Sequence, residues 1–565
     1  MTSEQQVRQI VKKRIPHFSR YVTFSFLLEI LIQFITLIPP IIMQRIIDVY
    51  IVEKQIAYTI GGIVACVLIP LLSSLLTTYY NFKLNAVGRN MGAELTLLAT
   101  EKLIYQPVSY FKDKKSSELV SYCNGESMKY IVFWLFDMPE LFASLLMGIV
   151  VYIYIFIMNV PSGLVLILYV PLMLLPSNFF AKKAQGLIRH VVKNNGIMSQ
   201  MLNDTLRGIK FIKAFAIEKL RLEQIKKVNQ DTVSVWTKMV VFDNLSGMWT
   251  NSIMDQCFTG IIFGIMAFSI IWDKTTVGML LVMLNYLPHL FQVVRKATNT
   301  NFKFQKQLAE YDNLFQIILL SDEREQETGT QKFHMDKNIS IENLSFRYEE
   351  GEDSLDVLHN ASMDIHKGEW VGIVGESGAG KSTLFQLLVR FYQPTSGRIC
   401  VDGVSLEDYD IVSLRRNITF VSQDTFLFPG TIRDNLLMVR QDAEEEELLD
   451  VIKQVGLEEL LDRDGGLDSV VGENGIVLSG GQKQRLALAQ GLLQNSRVLL
   501  LDEVTANVDS KLEASLRQCV KRLQKQKELT VISISHRMAF LEDADRIYEL
   551  KAGELQEIAG LCERA

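Results

Sequence analysis

A glycine-rich segment in the second half of the chain has the residue types and spacing that bind a phosphate group. Residues 375–382 read Gly-Glu-Ser-Gly-Ala-Gly-Lys-Ser, after the short apolar run Trp370–Val374 and before an apolar helical pattern at 384–391. Glycines let successive backbone N–H groups wrap a phosphate, and the following helix adds its positive N-terminal end. In such a loop Lys381 reaches the β- and γ-phosphates and the Ser382 hydroxyl ligates Mg²⁺. The segment therefore predicts a site for ATP and Mg²⁺.

Two carboxylates end an apolar run further along the chain. Residues 498–503 read Val-Leu-Leu-Leu-Asp-Glu, the pattern of a buried strand that ends in acidic residues. Asp502 is placed to hold Mg²⁺ through its hydration shell, and Glu503 to orient and polarise the attacking water. Phosphoryl transfer needs mainly positioning and charge stabilisation, and these groups supply both. We therefore predict an ATPase with Glu503 as its catalytic carboxylate.

A second glycine-containing segment predicts a second anion site. Residues 478–482 read Leu-Ser-Gly-Gly-Gln and precede a helical stretch, 483–493. The Ser479 hydroxyl, the glycine amides and the helix N-terminus together favour a phosphate. Because the chain already has one phosphate loop, a second site indicates that ATP is held between two subunits.

With these motifs in this order, the sequence resembles the ATP-binding cassette (ABC) transporter family over essentially its whole length. The resemblance implies that Tyr348 stacks on adenine, that Gln423 contacts Mg²⁺ and the membrane domain, and that His536 touches the γ-phosphate. It makes Glu503 and His536 the catalytic residues, and Ser382, Gln423 and Asp502 the metal site. The implied nucleotide-binding set is Tyr348, Gly375, Glu376, Ser377, Gly378, Ala379, Gly380, Lys381, Ser382, Thr383, Gln423, Ser479, Gly480, Gly481, Gln482 and the D-loop residue Asp509.

Further segments narrow the resemblance to half-transporters of the multidrug, lipid and peptide exporter group. Residues 426–436 and 472–475 resemble the exporter segments that follow the Q-loop and precede the signature motif, and residues 110–121 and 208–218 resemble the two coupling-helix regions. The sequence departs from the family at Asn507, which replaces a small D-loop residue, and in a short tail after residue 553.

The two halves of the chain differ in composition in a way that fits this resemblance. The 565 residues are 48% apolar, with a mean hydropathy of +0.16. Residues 1–320 contain 31 Lys and Arg against 20 Asp and Glu, whereas residues 321–565 contain 27 against 44. A basic, apolar half joined to an acidic, globular half excludes a disordered chain, a collagen-like chain and a small disulfide scaffold.

Six apolar segments precede residue 300, and each reaches or approaches the ~20 residues that cross ~30 Å of hydrocarbon as a helix. Positive charge concentrates in the N-terminus and in the two long links between spans, and it marks the cytoplasmic side. We therefore predict a multi-pass protein of the cell membrane with both termini and the nucleotide domain in the cytoplasm. These flanks account for the basic excess, so no nucleic-acid partner is expected. The predicted spans are 21–44, 58–82, 131–158, 161–181, 245–272 and 277–295.

The predicted fold is an α-helical membrane domain of six transmembrane helices, of the ABC exporter type 1, followed by an α/β P-loop NTPase domain. The N-terminal segment 1–20 is cytoplasmic. The membrane domain, with two long cytoplasmic links, covers 21–303, a linker covers 304–337, and the nucleotide-binding domain covers 338–565.

The function that the resemblance implies is ATP-driven export of a hydrophobic or amphipathic substrate by alternating access in a dimer. The substrate would be a drug, a lipid or a peptide, and membrane lipid surrounds the protein. A homodimer is predicted because every group needed for hydrolysis lies in this chain. One half of a heterodimeric exporter is an alternative, as is an ATP-gated regulatory or channel-like ABC protein, although such a protein should lack a catalytic carboxylate or a signature motif.

Ionisable residues inside the apolar spans are functional candidates by default. Glu29, Asp137, Glu140, Asp255 and His289 are of this kind. Asp255 is the predicted substrate residue. If it faces the central cavity, an acidic surface would suit large amphipathic molecules that carry positive charge.

Overall fold

The computed structural model forms two compact units, Met1–Glu101 with Ser117–Leu319 and Lys102–Ser116 with Leu320–Ala565. It describes residues 3–112, 114, 119–120, 122–321, 329–348, 356–462, 465–471, 478–505 and 509–558. The predictions for Asn507, for residues 472–475 and for parts of 110–121 fall outside the described residues.

The first unit is built from helices. Several of them continue through π-helical turns, at Ile46–Tyr50, Tyr122–Glu126, Phe133–Asp137 and Met248–Met254. The α-helices are Ser3–Arg14, Phe18–Thr36, Ile38–Arg45, Ile56–Ile104, Ser127–Val132, Met138–Met158, Val160–Arg207, Ile209–Ala214, Glu218–Gly247, Asp255–Ile271 and Val277–Ile318.

Within the described part of the chain, five helical segments are long and apolar enough to cross a membrane. They are Phe18–Tyr50, Ile56–Ile104, Tyr122–Met158, Ser252–Ile271 and Val277–Ala297. A shorter apolar stretch, Val160–Met173, opens the helix Val160–Arg207 where the fourth span is predicted. The element order confirms the predicted helical membrane domain.

The helices of the long links are far longer than a bilayer requires. Ile56–Ile104 has 49 residues and Val160–Arg207 has 48, so at ~1.5 Å per residue each is about 70 Å long. The short helix Ile209–Ala214 follows the second of them and exposes Phe211. The last membrane helix continues to Ile318, so the first part of the predicted linker is helical.

The second unit contains a four-stranded sheet in the order β2-β1-β4-β5, a six-stranded sheet in the order β12-β11-β3-β10-β9-β6, and the pair β7-β8. The strands are β1 Asn338–Phe346, β2 Leu358–His366, β3 Trp370–Val374, β4 Ser396–Val401, β5 Val404–Ser405, β6 Ile418–Val421, β7 Gly430–Thr431, β8 Val470–Val471, β9 Val498–Asp502, β10 Thr530–Ile534, β11 Arg546–Lys551 and β12 Glu554–Ile558. The α-helices are Lys381–Leu388, Ile411–Asn417, Ile432–Leu437, Glu445–Gln454, Glu458–Leu461, Gly480–Leu493 and Ser510–Lys527.

The six-stranded sheet positions the site because five of its strands are parallel. β11, β3, β10, β9 and β6 pair in parallel register, and every residue of β9 and β10 is buried. Strands covered on both faces read as continuous apolar runs, which is the pattern of residues 498–501. The carboxyl ends of such strands meet at one edge of the sheet. The segments that follow β3, β6, β9 and β10 therefore converge there.

Candidate functional site

The phosphate loop joins β3 to the helix Lys381–Leu388 and depends on its glycines. Gly375, Gly378 and Gly380 have φ angles of +153°, +82° and +100°, values that glycine adopts without steric cost. A Cβ at Gly375 would lie 2.4 Å from the carbonyl oxygen of Leu550. Glycine is therefore required at this position for two reasons: its backbone angle favours glycine, and a side chain would clash with Leu550.

Lys381 lies buried over the loop that it is expected to serve. Its Nζ donates to the carbonyl oxygens of Gly375 and Glu376, both at 2.8 Å. Burial lowers the pKa of Lys381, while the nearby carboxylates of Glu503 and Asp502 act in the opposite direction. The ammonium therefore sits between the loop and the two carboxylates, where a polyphosphate would supply further negative charge.

Asp502, the last residue of β9, has the features of a cation ligand. It is buried, and among the described residues its Oδ1 has no hydrogen-bond partner. Burial raises its pKa, and a hydrogen bond with Ser382 opposes that shift. A buried carboxylate oxygen without a partner, beside a hydroxyl, matches the oxygen donors that Mg²⁺ prefers. Ser382 and Asp502 therefore fit a magnesium ion.

Glu503 is held by donors at both carboxylate oxygens. Gln423 Nε2 donates to its Oε2 at 2.8 Å, and His536 Nε2 lies 2.8 Å from its Oε1. The Glu503 backbone has φ +49°, uncommon for a residue other than glycine, and its N–H donates to the Ile534 carbonyl at 3.1 Å. The ends of β6, β9 and β10 thus bring together three residues that lie 33 to 113 positions apart in the sequence.

Tyr348 lies just after β1 and is tied to the helix that follows the phosphate loop. Its Oη lies 2.9 Å from Thr383 Oγ1 and donates to Gln386 Oε1, also at 2.9 Å. The ring of Tyr392 packs edge to face against it, and Lys112 Nζ lies 5.0 Å from its centroid. Neither Gln386 nor Lys112 is predicted from the sequence. Both are linked to the site through Tyr348, and the contacts of Tyr348 are not visible in the sequence.

The second glycine-containing segment forms a capped helix N-terminus. Ser479 Oγ accepts from the N–H of Gln482 at 3.2 Å, and the Gln482 side chain accepts from the N–H of Ser479 at 2.9 Å. This capping box leaves Gly480 and Gly481 in the first turn of the helix. Asp509 similarly caps the helix Ser510–Lys527. The roles of these residues toward ATP remain predictions.

Asp255 is ion-paired inside the membrane unit. It accepts a hydrogen bond from Tyr169 Oη at 2.8 Å and forms a salt bridge with Arg295. The prediction of a free carboxylate at the cavity depends on a charge that Arg295 neutralises. Arg295 is the last residue of the predicted span 277–295, and nothing in the sequence pattern marks it as the partner of Asp255.

Two other predicted ionisable residues of the spans, Glu29 and His289, line a cavity of about 190 Å³. Gln33, Gln292 and Lys296, which are not predicted from the sequence, line it as well. Lys296 Nζ forms a salt bridge of 2.6 Å with Glu140.

Two family descriptions match the chain. "ABC transporter" matches residues 358–506, and "ABC transporter transmembrane region" matches residues 22–294. The two matches cover the phosphate loop with β9 and most of the membrane unit.

Two curated relatives are similar to the chain over most of its length. An "ATP-dependent lipid A-core flippase" of Pasteurella multocida (strain Pm70) is 34% identical over 398 residues, 70% of this chain and 67% of the relative. A "Putative multidrug export ATP-binding/permease protein YgaD" of Bacillus subtilis (strain 168) is 28% identical over 80% of this chain and 77% of its own length.

A solved structure of a bacterial Atm1-family ABC exporter with ATP bound superposes with a TM-score of 0.83 at 23% identity. It covers 97% of this chain and 96% of its own. This likeness confirms the predicted fold.

Proposed function

The chain belongs to the ABC transporter family, and we propose that it exports an amphipathic molecule across the membrane as a homodimer driven by ATP hydrolysis. The chain is an ATPase and a multi-pass membrane protein. The observation that carries the catalytic part of the proposal is the position of Glu503, whose two carboxylate oxygens lie against Gln423 and His536.

In the proposed reaction Glu503 orients and polarises the water that attacks the γ-phosphate. Contacts at both oxygens fix the direction of the carboxylate, and a water-activating group needs this positioning. Lys381 neutralises phosphate charge at the loop. When bound, Mg²⁺ would be held by Ser382 and Asp502 and would supply charge neutralisation at the β- and γ-phosphates.

The division of the site within one chain supports the proposed homodimer. The phosphate loop and Glu503 lie at the sheet edge, whereas Ser479–Gln482 forms a separate capped helix N-terminus. One chain carries both halves of an ATP site, so two identical copies would form two complete sites. A heterodimer would need a different partner chain that carries the matching halves of both ATP sites. This chain does not require such a partner, because it carries both halves itself.

The proposed substrate class is supported by the relatives and by the membrane unit. The relatives are named for a lipid flippase and for multidrug export, and lipids and drugs of this kind are commonly amphipathic. The cavity of the membrane unit has polar and apolar walls, as an amphipathic molecule requires.

The test uses the full chain, purified alone and reconstituted in liposomes. We expect ATP turnover from a particle of two chains, together with ATP-dependent movement of a fluorescent lipid between leaflets, measured by quenching from outside. Glu503→Gln should stop both. A single-chain particle, or turnover that requires a second polypeptide, would contradict the homodimer. Turnover without movement of any lipid or drug probe would contradict export.

A further inference from the structure

The cavity of the membrane unit lies between three helices that belong to different spans. Phe18–Thr36, Met138–Met158 and Val277–Ile318 contribute its walls. Its volume is about 190 Å³, which corresponds to roughly six water molecules at ~30 Å³ each. The cavity can therefore hold the headgroup of an amphipathic molecule, with only the first carbons of its alkyl chain. Its polar wall is formed by Glu29, Gln33, Thr36, Ser144, His289, Gln292 and Lys296.

Glu29 places a carboxylate in the cavity wall, and the ammonium of Lys296 compensates its charge only in part, without a direct contact. Its hydrogen bond from Gln33 Nε2 at 3.2 Å is neutral, and no cationic side chain of the described residues lies within salt-bridge distance of it. Lys296 also lines the cavity, but its ammonium is already bound to Glu140 at 2.6 Å. An unpaired carboxylate in a membrane span is costly, so a cation that enters the cavity and pairs with Glu29 gains stabilisation.

The contrast with Asp255 shows which carboxylate is open to a ligand. Asp255 has an internal cation, Arg295, and a hydrogen bond from Tyr169. Glu29 has no cationic partner within salt-bridge distance among the described residues, its hydrogen bond comes from the neutral amide of Gln33, and it lines a cavity. A ligand's positive charge would therefore compensate Glu29 and would be redundant at Asp255.

The amide of Gln33 indicates a ligand that donates hydrogen bonds. Its Nε2 donates both to Glu29 and to Ser144 Oγ, at 3.2 and 3.0 Å. Among the described residues its Oε1 accepts no hydrogen bond, so this amide oxygen and the Glu29 carboxylate are both acceptors on residues that line the cavity. An ammonium group with three N–H donors can bond both acceptors. A quaternary ammonium has the same charge but no donor.

We propose that this cavity binds the headgroup of an amphipathic molecule that carries a primary ammonium, with Glu29 as the group that pairs with its charge. The cavity is also lined by the apolar side chains Leu37, Met147, Val151 and Val293, which suit the first carbons of an alkyl chain. The inference rests on the proposed export function and narrows its substrate class. A headgroup that carries only negative charge would be repelled by Glu29.

The first test compares three probes that share one alkyl chain: dodecylammonium, dodecyltrimethylammonium and dodecanoate. The full chain in phosphatidylcholine liposomes is assayed for ATPase stimulation below the concentrations that disrupt the bilayer. We expect dodecylammonium to stimulate at the lowest concentration and dodecanoate not at all. In Glu29→Gln the half-maximal concentration of dodecylammonium should rise at least about tenfold, the equivalent of ~1.4 kcal/mol. Equal potency of the three probes, or no shift in Glu29→Gln, overturns the proposal.

Two control variants separate charge from structure. Glu29→Asp keeps the carboxylate and should retain the preference for the primary ammonium. Glu53→Gln removes an exposed acid outside the cavity and should leave both basal and stimulated turnover as in the wild type. If Glu53→Gln loses stimulation to the same extent as Glu29→Gln, the effect is general surface charge and the proposal fails.

The second test needs neither a variant nor ATP hydrolysis. Dicyclohexylcarbodiimide modifies carboxyl groups in apolar surroundings, and mass spectrometry of the wild-type chain reports modification at Glu29. Dodecylammonium should protect Glu29, whereas dodecanoate should not. Lack of protection refutes the cavity assignment even if the chain transports. Protection in a chain that hydrolyses no ATP would refute the export function and leave the cavity assignment intact.

Discussion

The imidazole Nε2 of His536 lies 2.8 Å from Oε1 of Glu503. The other oxygen of the same carboxylate accepts a hydrogen bond from Gln423. One imidazole nitrogen cannot bond this carboxylate and a γ-phosphate at full strength together. The predicted contact of His536 with the γ-phosphate would therefore have to replace or share this contact, which would couple ATP binding to the carboxylate of Glu503.

Replacing Glu503 with Gln should separate ATP binding from hydrolysis. Glutamine keeps the size of the side chain and can bond its neighbours, but it is a far poorer base, and loss of a general base typically lowers rates by about 10²–10⁴-fold. ATP binding should persist and trap a closed dimer. Steady-state hydrolysis and nucleotide binding by the purified chain give the measurement. The exposed residue Glu549 provides the control Glu549→Gln, which should hydrolyse ATP normally. Near-normal hydrolysis in Glu503→Gln would contradict the assigned role.

Replacing His536 with Ala should lower turnover more than it lowers ATP affinity. The variant loses the contact with Glu503 and the predicted contact with the γ-phosphate, while the phosphate loop and Lys381 remain. We expect a loss of turnover on the order of 10²-fold, comparable to the loss of one transition-state donor. Turnover and ATP affinity are measured on the same preparation. Adding His536→Ala to Glu503→Gln should cost little further activity, because residues that act as a unit are not additive. Additive losses would show that the two residues act independently.

The sequence predicts those parts of the fold and site that depend on local pattern. The glycines at 375, 378 and 380 are needed by the backbone angles of one loop, and the apolar runs of β3 and β9 reflect burial on both faces. Contacts across the fold are not visible in this way. The ion pair of Asp255 with Arg295 and the bond of Tyr348 to Gln386 join residues 40 and 38 positions apart. In spans that are apolar on all sides, no periodicity reveals which face points at a neighbour.

The hydrogen bonds of the Tyr348 hydroxyl predict different results for two substitutions. Tyr348→Phe keeps the ring and loses only the hydroxyl contacts with Thr383 and Gln386. Tyr348→Ala also removes the surface on which adenine is expected to stack, worth about 1–3 kcal/mol for a base on an aromatic ring. ATP affinity should therefore fall about 5- to 150-fold in Tyr348→Ala and change much less in Tyr348→Phe. Equilibrium binding of a fluorescent ATP analogue measures both. Equal losses would mean that the hydroxyl, not the ring, determines affinity.

Two alanine substitutions in the phosphate loop should separate steric clash from backbone strain. Gly375→Ala places a Cβ 2.4 Å from the Leu550 carbonyl, whereas a Cβ at Gly378 meets no atom within 4 Å. Both positions have positive φ, so each substitution carries strain of about 1–3 kcal/mol, but only the first adds a backbone clash. Gly375→Ala should show the larger fall in melting temperature and lose ATP binding. If the two variants have the same melting temperature, the loop is not held in a fixed position against Leu550.

The Asp502 carboxylate should destabilise the unliganded protein, although it is needed to bind the metal. Burial raises its pKa above 3.8, so the folded state binds this proton more tightly than the unfolded state does. The ionised carboxylate therefore lowers the free energy of unfolding at pH values above the folded-state pKa of Asp502, and this destabilisation disappears as the pH falls through that pKa. Asp502→Asn should therefore raise the melting temperature of the nucleotide-free chain at neutral pH, yet abolish the additional stabilisation by Mg²⁺ with ATP. The exposed residue Asp408 supplies the control Asp408→Asn, which should change neither the melting temperature nor the stabilisation by Mg²⁺ with ATP.

In the wild type, the Mg²⁺ concentration needed for ATP binding should rise as the pH falls, and this rise should begin at a higher pH than an exposed aspartate would give. An Asp502→Asn chain that is less stable without nucleotide, or that still responds to Mg²⁺, would show that this carboxylate is structural.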